Sequence, residues 1–327
     1  MAFRDIIGHD RAIEILTGSI RNARISHAYL FSGDNGIGKR LTAINFAKAL
    51  NCQDSSGPNT DSCGKCPACI KIKKGIHPDV LEISPEDGII RVNEVRRLEE
   101  LLSYKAFEGK WKVVIVDGAE CLNQSAANAF LKTLEEPPGQ SVIILVSSMS
   151  ELIPQTILSR CQRINFSPLP IKKLQDLLQQ MGQGHASVLS RLSQGRLGLA
   201  LNGDLFRHRE RSFNEFKTLI NGPKEEIWDD RDAMEEWFDW AMLWIRDVAV
   251  YRAAGKATLL INYDMEAEIR EIAENADLNN IMALSKELYN IKGLLRFNLS
   301  KHITVYYTGI LLKHNLKLNI KLGKVVD

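Results

Sequence analysis

What this 327-residue sequence lacks already excludes several classes of protein. Long apolar runs are absent, and stretches such as Val142–Val146 fall far short of the roughly 20 residues that a bilayer-spanning helix needs. A large excess of either charge is absent too: 42 Lys and Arg against 40 Asp and Glu leave a net +2. That is too little to argue nucleic-acid binding from overall charge, so any DNA contact must come from local clusters. Met1–Asp5 has no charged-then-apolar signal layout, which makes the cytoplasm the expected compartment. Six cysteines without a secretion signal favour metal binding over disulfides. Apolar residues at 45% and charged residues at 25% exclude a disordered chain. The length predicts two or three domains.

What is present is organised around Gly33-Asp34-Asn35-Gly36-Ile37-Gly38-Lys39-Arg40. The apolar run Ala28–Phe31 precedes it and a helical pattern over Leu41–Leu50 follows. Strand, Gly-rich turn, Lys and helix is the layout of a phosphate-binding loop. Backbone N–H groups wrap the phosphates, the helix N-terminus adds positive potential, and Lys39 neutralises the terminal phosphates. The loop normally ends in Ser or Thr, whose hydroxyl holds Mg²⁺. Arg40 stands there instead, and Arg has donors but no acceptor.

Val80–Ile83 predicts a strand, and Val92–Leu102 predicts a helix with Val92, Val95, Leu98, Leu101 and Leu102 on one face. Lys112–Val116, ending in Asp117, and Val142–Val146 read as buried parallel strands. Between them a helix runs from about Gln124 to Glu136 and stops at Pro137-Pro138. The alternation through about residue 166 predicts a parallel α/β sheet with helices on both faces. Beyond Pro170 the pattern is helical, with Trp237, Trp240, Ala241 and Trp244 on a stripe expected to form the core of a helical bundle. The tail is ambiguous. Leu316, Leu318, Ile320 and Leu322 alternate like a strand, whereas Lys313, Lys317, Lys321 and Lys324 make a helical stripe, and helix is expected from its neighbours.

Cys52, Cys63, Cys66 and Cys69 lie in a polar insertion over about residues 51–75. Four thiolates at this spacing suit a closed, tetrahedral, structural Zn²⁺ site. An iron–sulfur cluster also takes four Cys, but no redox partner is evident and Zn²⁺ is expected. Cys121 and Cys161 share no such spacing. Asp117 is placed to help hold Mg²⁺ beside the loop. The next residue, where an ATP hydrolase of this architecture carries a water-orienting Glu, is Gly118; Glu120 lies two positions further and is expected to point elsewhere.

With His27–Phe31, the loop, the Cys insertion, Asn128–Pro138 and Ile157–Cys161 in this order, residues 1–203 resemble bacterial clamp-loader subunits, the AAA+ proteins of the DNA polymerase III holoenzyme. The resemblance implies an AAA+ core over residues 1–167, a small helical lid over 168–204 and an all-α collar over 205–327. It implies a nucleotide-contact set of Ile7, Gly8, Gly33, Gly36, Gly38, Lys39, Arg40 and Asp117. It further implies that Arg160, in Ser159-Arg160-Cys161, acts in trans on ATP bound by a neighbouring subunit. In the ATP-hydrolysing gamma/tau branch an Arg of the lid senses the γ-phosphate; Gly198 occupies that slot, and Arg196 fits only with a register shift. Arg40, Gly118 and Gly198 together resemble the largely non-hydrolysing delta-prime branch, whose length also fits. ATP or ADP would then be held weakly, if bound.

The partners so implied are gamma/tau and delta subunits, the sliding clamp and primer–template DNA. Arg91 and Arg96 on the Val92–Leu102 helix, with Arg97 adjacent, are the expected DNA contacts, tracking phosphates without reading sequence. Two other readings stay open: a gamma/tau-type ATPase, and a stand-alone DNA-stimulated nucleotide switch.

Overall fold

The structure, a computed structural model, describes residues 2–54, 60–222, 227–297 and 299–317. It separates into two compact units. One comprises Met1–Pro170 with Gly195–Leu199, and the other Ile171–Gln194 with Ala200–Asp327.

In the first unit α1 (Asp10–Arg21) precedes β1 (Ala28–Ser32), α2 (Lys39–Asn51), α3 (Pro67–Lys73), β2 (Val80–Ile83), α4 (Val92–Ser103) and β3 (Lys112–Asp117). Then follow α5 (Gln124–Glu135), β4 (Ser141–Ser147), the single turn α6 (Gln155–Leu158) and β5 (Gln162–Asn165). All pairings are parallel and the strand order is β2-β3-β4-β1-β5, so the sheet is parallel, as the alternation of strand and helix predicts.

Why the central strands read as unbroken apolar runs follows from their neighbours. Tyr29, Phe31, Val113, Ile115, Val142 and Ile144 pack on one face with Leu16 of α1 and Phe46 of α2. The alternate residues Leu30, Val114, Val116, Ile143 and Leu145 pack on the other with Val95 and Leu98 of α4 and Phe130 of α5. Both faces are dry, so both strand registers are apolar. β5 is one of the two edge strands and buries only Ile164.

Side-chain caps mark the helix ends. Asn123 accepts the Ala126 N–H at the start of α5 (2.8 Å). Pro137-Pro138 follow α5, as expected. Asp79 is buried before β2, and its carboxylate accepts the backbone N–H groups of Phe107, Glu108 and Gly109 at 2.7 Å each. Asn51 accepts from Lys110 and Trp111. Burial alone would raise the Asp79 carboxyl, but the three donors, with His77 beside them, hold it below the usual aspartate range. The loop before β3 is thereby tied down at both ends.

The second unit is helical: α7 (Ile171–Gln180), α8 (Ala186–Leu192), α9 (Leu197–Ala200, which begins in the first unit), α10 (Leu205–Asn221), α11 (Arg231–Ala254), α12 (Glu266–Asn275), α13 (Leu278–Leu294) and α14 (Lys301–Leu316). Trp237, Trp240, Ala241 and Trp244 are all buried, as expected for a core stripe. Trp237 packs with Trp228, Phe216 and Phe238. Asp230 caps α11 and Gly255, in the left-handed region, ends it. Fully buried Asp247 takes the N–H groups of Ile261 and Asn262 and the Asn262 amide. α14 carries the helix through Leu316; the remaining tail positions Leu318, Ile320, Lys321, Leu322 and Lys324 lie outside the described residues. Among the described residues no helix is long and apolar enough to cross a membrane.

Candidate functional site

The strand order places the phosphate-loop segment where an open parallel sheet leaves a crevice. β1 lies between β4 and β5, so the loops leaving β1 and β4 part at their carboxyl ends. Gly33 opens the loop at φ 150°, and a Cβ there would stand 2.4 Å from the Phe166 carbonyl oxygen. No other residue fits that turn. Gly38, at φ 106°, is the N-cap of α2.

The loop's own carbonyls are met by donors of the protein. Lys39 is 5% exposed and its Nζ donates to the carbonyls of Gly33 (2.6 Å) and Asp34 (2.7 Å). Burial lowers the Lys39 pKa, opposed by the charges of Glu120, Asp117 and Asp34. His9 Nε2 lies 2.7 Å from the Ile37 carbonyl, which it can meet only as a donor. The Gly198 N–H donates to the Gly36 carbonyl (2.9 Å), and a Cβ on Gly198 would come within 2.7 Å of that oxygen. The expected sensor slot is therefore filled by bare backbone pressed on the loop, and no side chain fits there without a shift. Gly8 packs as closely: a Cβ would meet Leu169 at 2.3 Å, while neighbouring Ile7 stays exposed.

Arg40 stands where a metal-holding hydroxyl would be, and it is paired. Its guanidinium donates through Nε and Nη2 to the two oxygens of Glu82 on β2, the second bond at 2.8 Å. Its Nε also lies 3.7 Å from Asp117 at the end of β3. Hydrogen bonding to Glu82 raises the Arg40 pKa further. The Asp117 carboxyl is raised, by burial first and by the Glu82 charge, although Arg40 pulls it down.

Glu120 finds its partner on β4. Gly118 enters the left-handed region and starts a short turn. The turn carries the Glu120 carboxylate back to β4, where it accepts the Ser148 N–H (3.0 Å) and hydroxyl (2.6 Å). Burial opposes its charge, but these bonds win and lower its pKa. Its charge acts on Lys39 and Asp117. Sequence spacing could not show this, because a left-handed glycine breaks the strand's alternation. Ser148 carried no motif and was missed for that reason. So was Arg163 on β5, which donates to Ser32 (3.2 Å) and Ser150 (2.8 Å).

Arg160 follows α6, half-buried, with Nη1 on the Thr156 carbonyl (2.7 Å) and Nη2 on Glu135 (2.5 Å). Burial pushes the adjacent Cys161 thiol up to about 12, so it is no nucleophile at neutral pH. Arg91 is the N-cap of α4, its N–H satisfied by Glu94, and is not inside the helix. Arg91, Arg96 and Arg97 are exposed, whereas Val95 and Leu98 of the same helix are buried. Five residues turn a helix through roughly 140° beyond one full turn, so Arg91 and Arg96 do not share a stripe.

The four expected metal ligands meet. Cys52 closes α2, Cys66 caps α3 and Cys69 lies within it; with Cys63 their sulfurs lie within 4.8 Å of one another. The Cys63, Cys66 and Cys69 N–H groups point at the Cys52, Cys63 and Cys66 sulfurs, respectively. Such donors favour thiolates, and the donor set fits Zn²⁺. Buried Lys48, which sequence spacing did not single out, lies in the field of Cys69; burial lowers its pKa and the Cys69 charge opposes that.

Residues 8–170 match the family described as DNA polymerase III, delta subunit. The chain is 31% identical over 277 residues to the DNA polymerase III subunit delta' of Pseudomonas aeruginosa, covering 80% of this chain and 83% of that protein. To subunit delta' of Bacillus subtilis it is 28% identical over 310 residues, covering 87% and 93%. It is also 35% identical over 208 residues to subunit tau of Bacillus subtilis, covering 61% of this chain but only 36% of tau. The chain thus spans little more than a third of that relative.

For the thiol cluster, metal analysis of the purified chain should find about one Zn²⁺ per chain, with chelation costing a few kcal/mol of stability, on the order expected of a structural site. Iron in its place, or a fully stable metal-free chain, would contradict the assignment.

Proposed function

The chain belongs to the family of DNA polymerase III clamp-loader subunits, and from that premise we propose that it is a delta-prime-type member, largely non-hydrolysing, that supplies Arg160 in trans to ATP held by a neighbouring subunit. It would assemble with gamma/tau and delta subunits in the cytoplasm and help load the sliding clamp onto primed DNA. The three-part division into core (1–167), lid (168–204) and collar (205–327) belongs to this reading, as does structural Zn²⁺ in the Cys cluster.

One observation carries the proposal: Arg40 pairs with Glu82 and approaches Asp117 at the position that needs a Mg²⁺ ligand. A guanidinium has no lone pair to offer a cation, and its charge already answers the carboxylates that would bind one. Glu120 is engaged by Ser148, so it is not free to orient a water. Any nucleotide held over Gly33, Gly36, Gly38 and Lys39, beside Ile7 and Gly8, would lack the metal that phosphoryl transfer uses. The tau match keeps a gamma/tau-type ATPase as the second reading, and Lys39 is the residue that favours it.

To separate the two readings, the complex is assembled with this chain's phosphate loop unaltered and, among the other subunits, only the neighbouring one retaining a working loop, and ATP hydrolysis is measured with clamp and primed DNA. Arg160→Ala should lower turnover by about 10³ or more, the scale of an arginine finger, while Lys39→Ala should leave it unchanged. The reverse pattern would establish the ATPase reading.

Arg91 and Arg96 are proposed to contact template phosphates. Changing both to Ala should weaken primer–template binding by the complex equally across sequences and reduce the salt slope by about 1 to 2. An unchanged affinity and slope would remove them from the DNA path.

A further inference from the structure

The Arg160 side chain is not a free arm. Its Nη1 donates to the Thr156 carbonyl (2.7 Å) and contacts the Ser159 hydroxyl oxygen (3.3 Å), while Nη2 donates to Glu135 Oε1 at 2.5 Å. Glu135 is the last residue of the 12-residue helix α5, and Glu136-Pro137-Pro138 prevent the helix from continuing. The carboxylate is therefore held at a defined helix end. The cation it recruits also answers the partial negative charge of that end.

We propose that Glu135 is a positioning residue that holds the Arg160 guanidinium until the neighbouring subunit's nucleoside triphosphate replaces it as the guanidinium's acceptor. The inference rests on the reading of Arg160 as the group acting in trans. Exposure favours exchange over permanent pairing. The Arg160 and Glu135 side chains are 34% and 51% exposed, and a pair so open to water shifts an equilibrium by no more than about fivefold. A triphosphate offers more charge and paired oxygens that match the guanidinium fork. It therefore wins the guanidinium when it is presented, and loses it when the interface opens. Glu135 would thus lower the fraction of complexes with an engaged finger before clamp and DNA close the interface. Once the finger is engaged, the carboxylate would have no contact to contribute.

The test uses the assembled complex in which only the neighbouring subunit retains a working phosphate loop. Glu135→Gln keeps the shape of an exposed side chain and removes its charge. Basal ATP hydrolysis, without clamp and primed DNA, should rise about two- to fivefold, and the stimulated rate should stay near that of the unaltered complex. The rise should vanish in the Glu135→Gln, Arg160→Ala double variant, which a merely structural role of Glu135 would not produce. A basal rate unchanged or lowered by Glu135→Gln, while Arg160→Ala still abolishes stimulation, overturns the proposal and leaves the finger in place. Stimulation that survives Arg160→Ala overturns both.

Discussion

Three carboxylates, Glu82, Asp117 and Glu120, gather at the carboxyl edge of a sheet whose two faces are sealed, and their charge has to be answered there. In a metal-dependent site a divalent cation would share that work. Here the chain supplies both cations itself. Arg40 takes Glu82 and approaches Asp117, and Lys39 lies in the field of Glu120 and Asp117. The loop's carbonyls are filled in the same way, by Lys39, His9 and the Gly198 backbone. The proposed non-hydrolysing role rests on this charge balance within the chain more than on the loss of any one residue.

Under the proposed function the consequence is a division of labour. The phosphate-loop edge is a settled part of the fold, held by contacts among its own groups. Arg160 lies beyond the single turn α6 and is held, among the described residues, by exposed partners. The Cys cluster stands apart from both, joining the end of α2 to α3. Four sulfurs on one ion would leave no position for substrate, so the role proposed for it is to fix the insertion.

Much of this was legible in the sequence where one residue's chemistry decides. Arg40 cannot ligate a cation in any fold, and the apolar runs 113–116 and 142–146 read as strands buried on both sides, as they are. The four cysteines converge as their spacing predicts. Partners were not legible. That Arg40 would find Glu82, 42 residues on, depends on β2 pairing with β3. That Glu120 would return to Ser148 depends on one left-handed glycine. Gly198 looked like a lost sensor, whereas its backbone contact with Gly36 shows a physical reason for glycine. Arg91 fell just outside its helix because boundaries follow capping, and Glu94 caps that end.

The central claim is that an internal cation has taken the place of Mg²⁺. Calorimetric titration of ATP into the purified chain, with and without Mg²⁺, tests it directly. Any binding should be weak and indifferent to Mg²⁺, with Arg40→Thr conferring a Mg²⁺ dependence of about tenfold, or 1.4 kcal/mol. Tight binding by the unaltered chain that requires Mg²⁺ would contradict the claim.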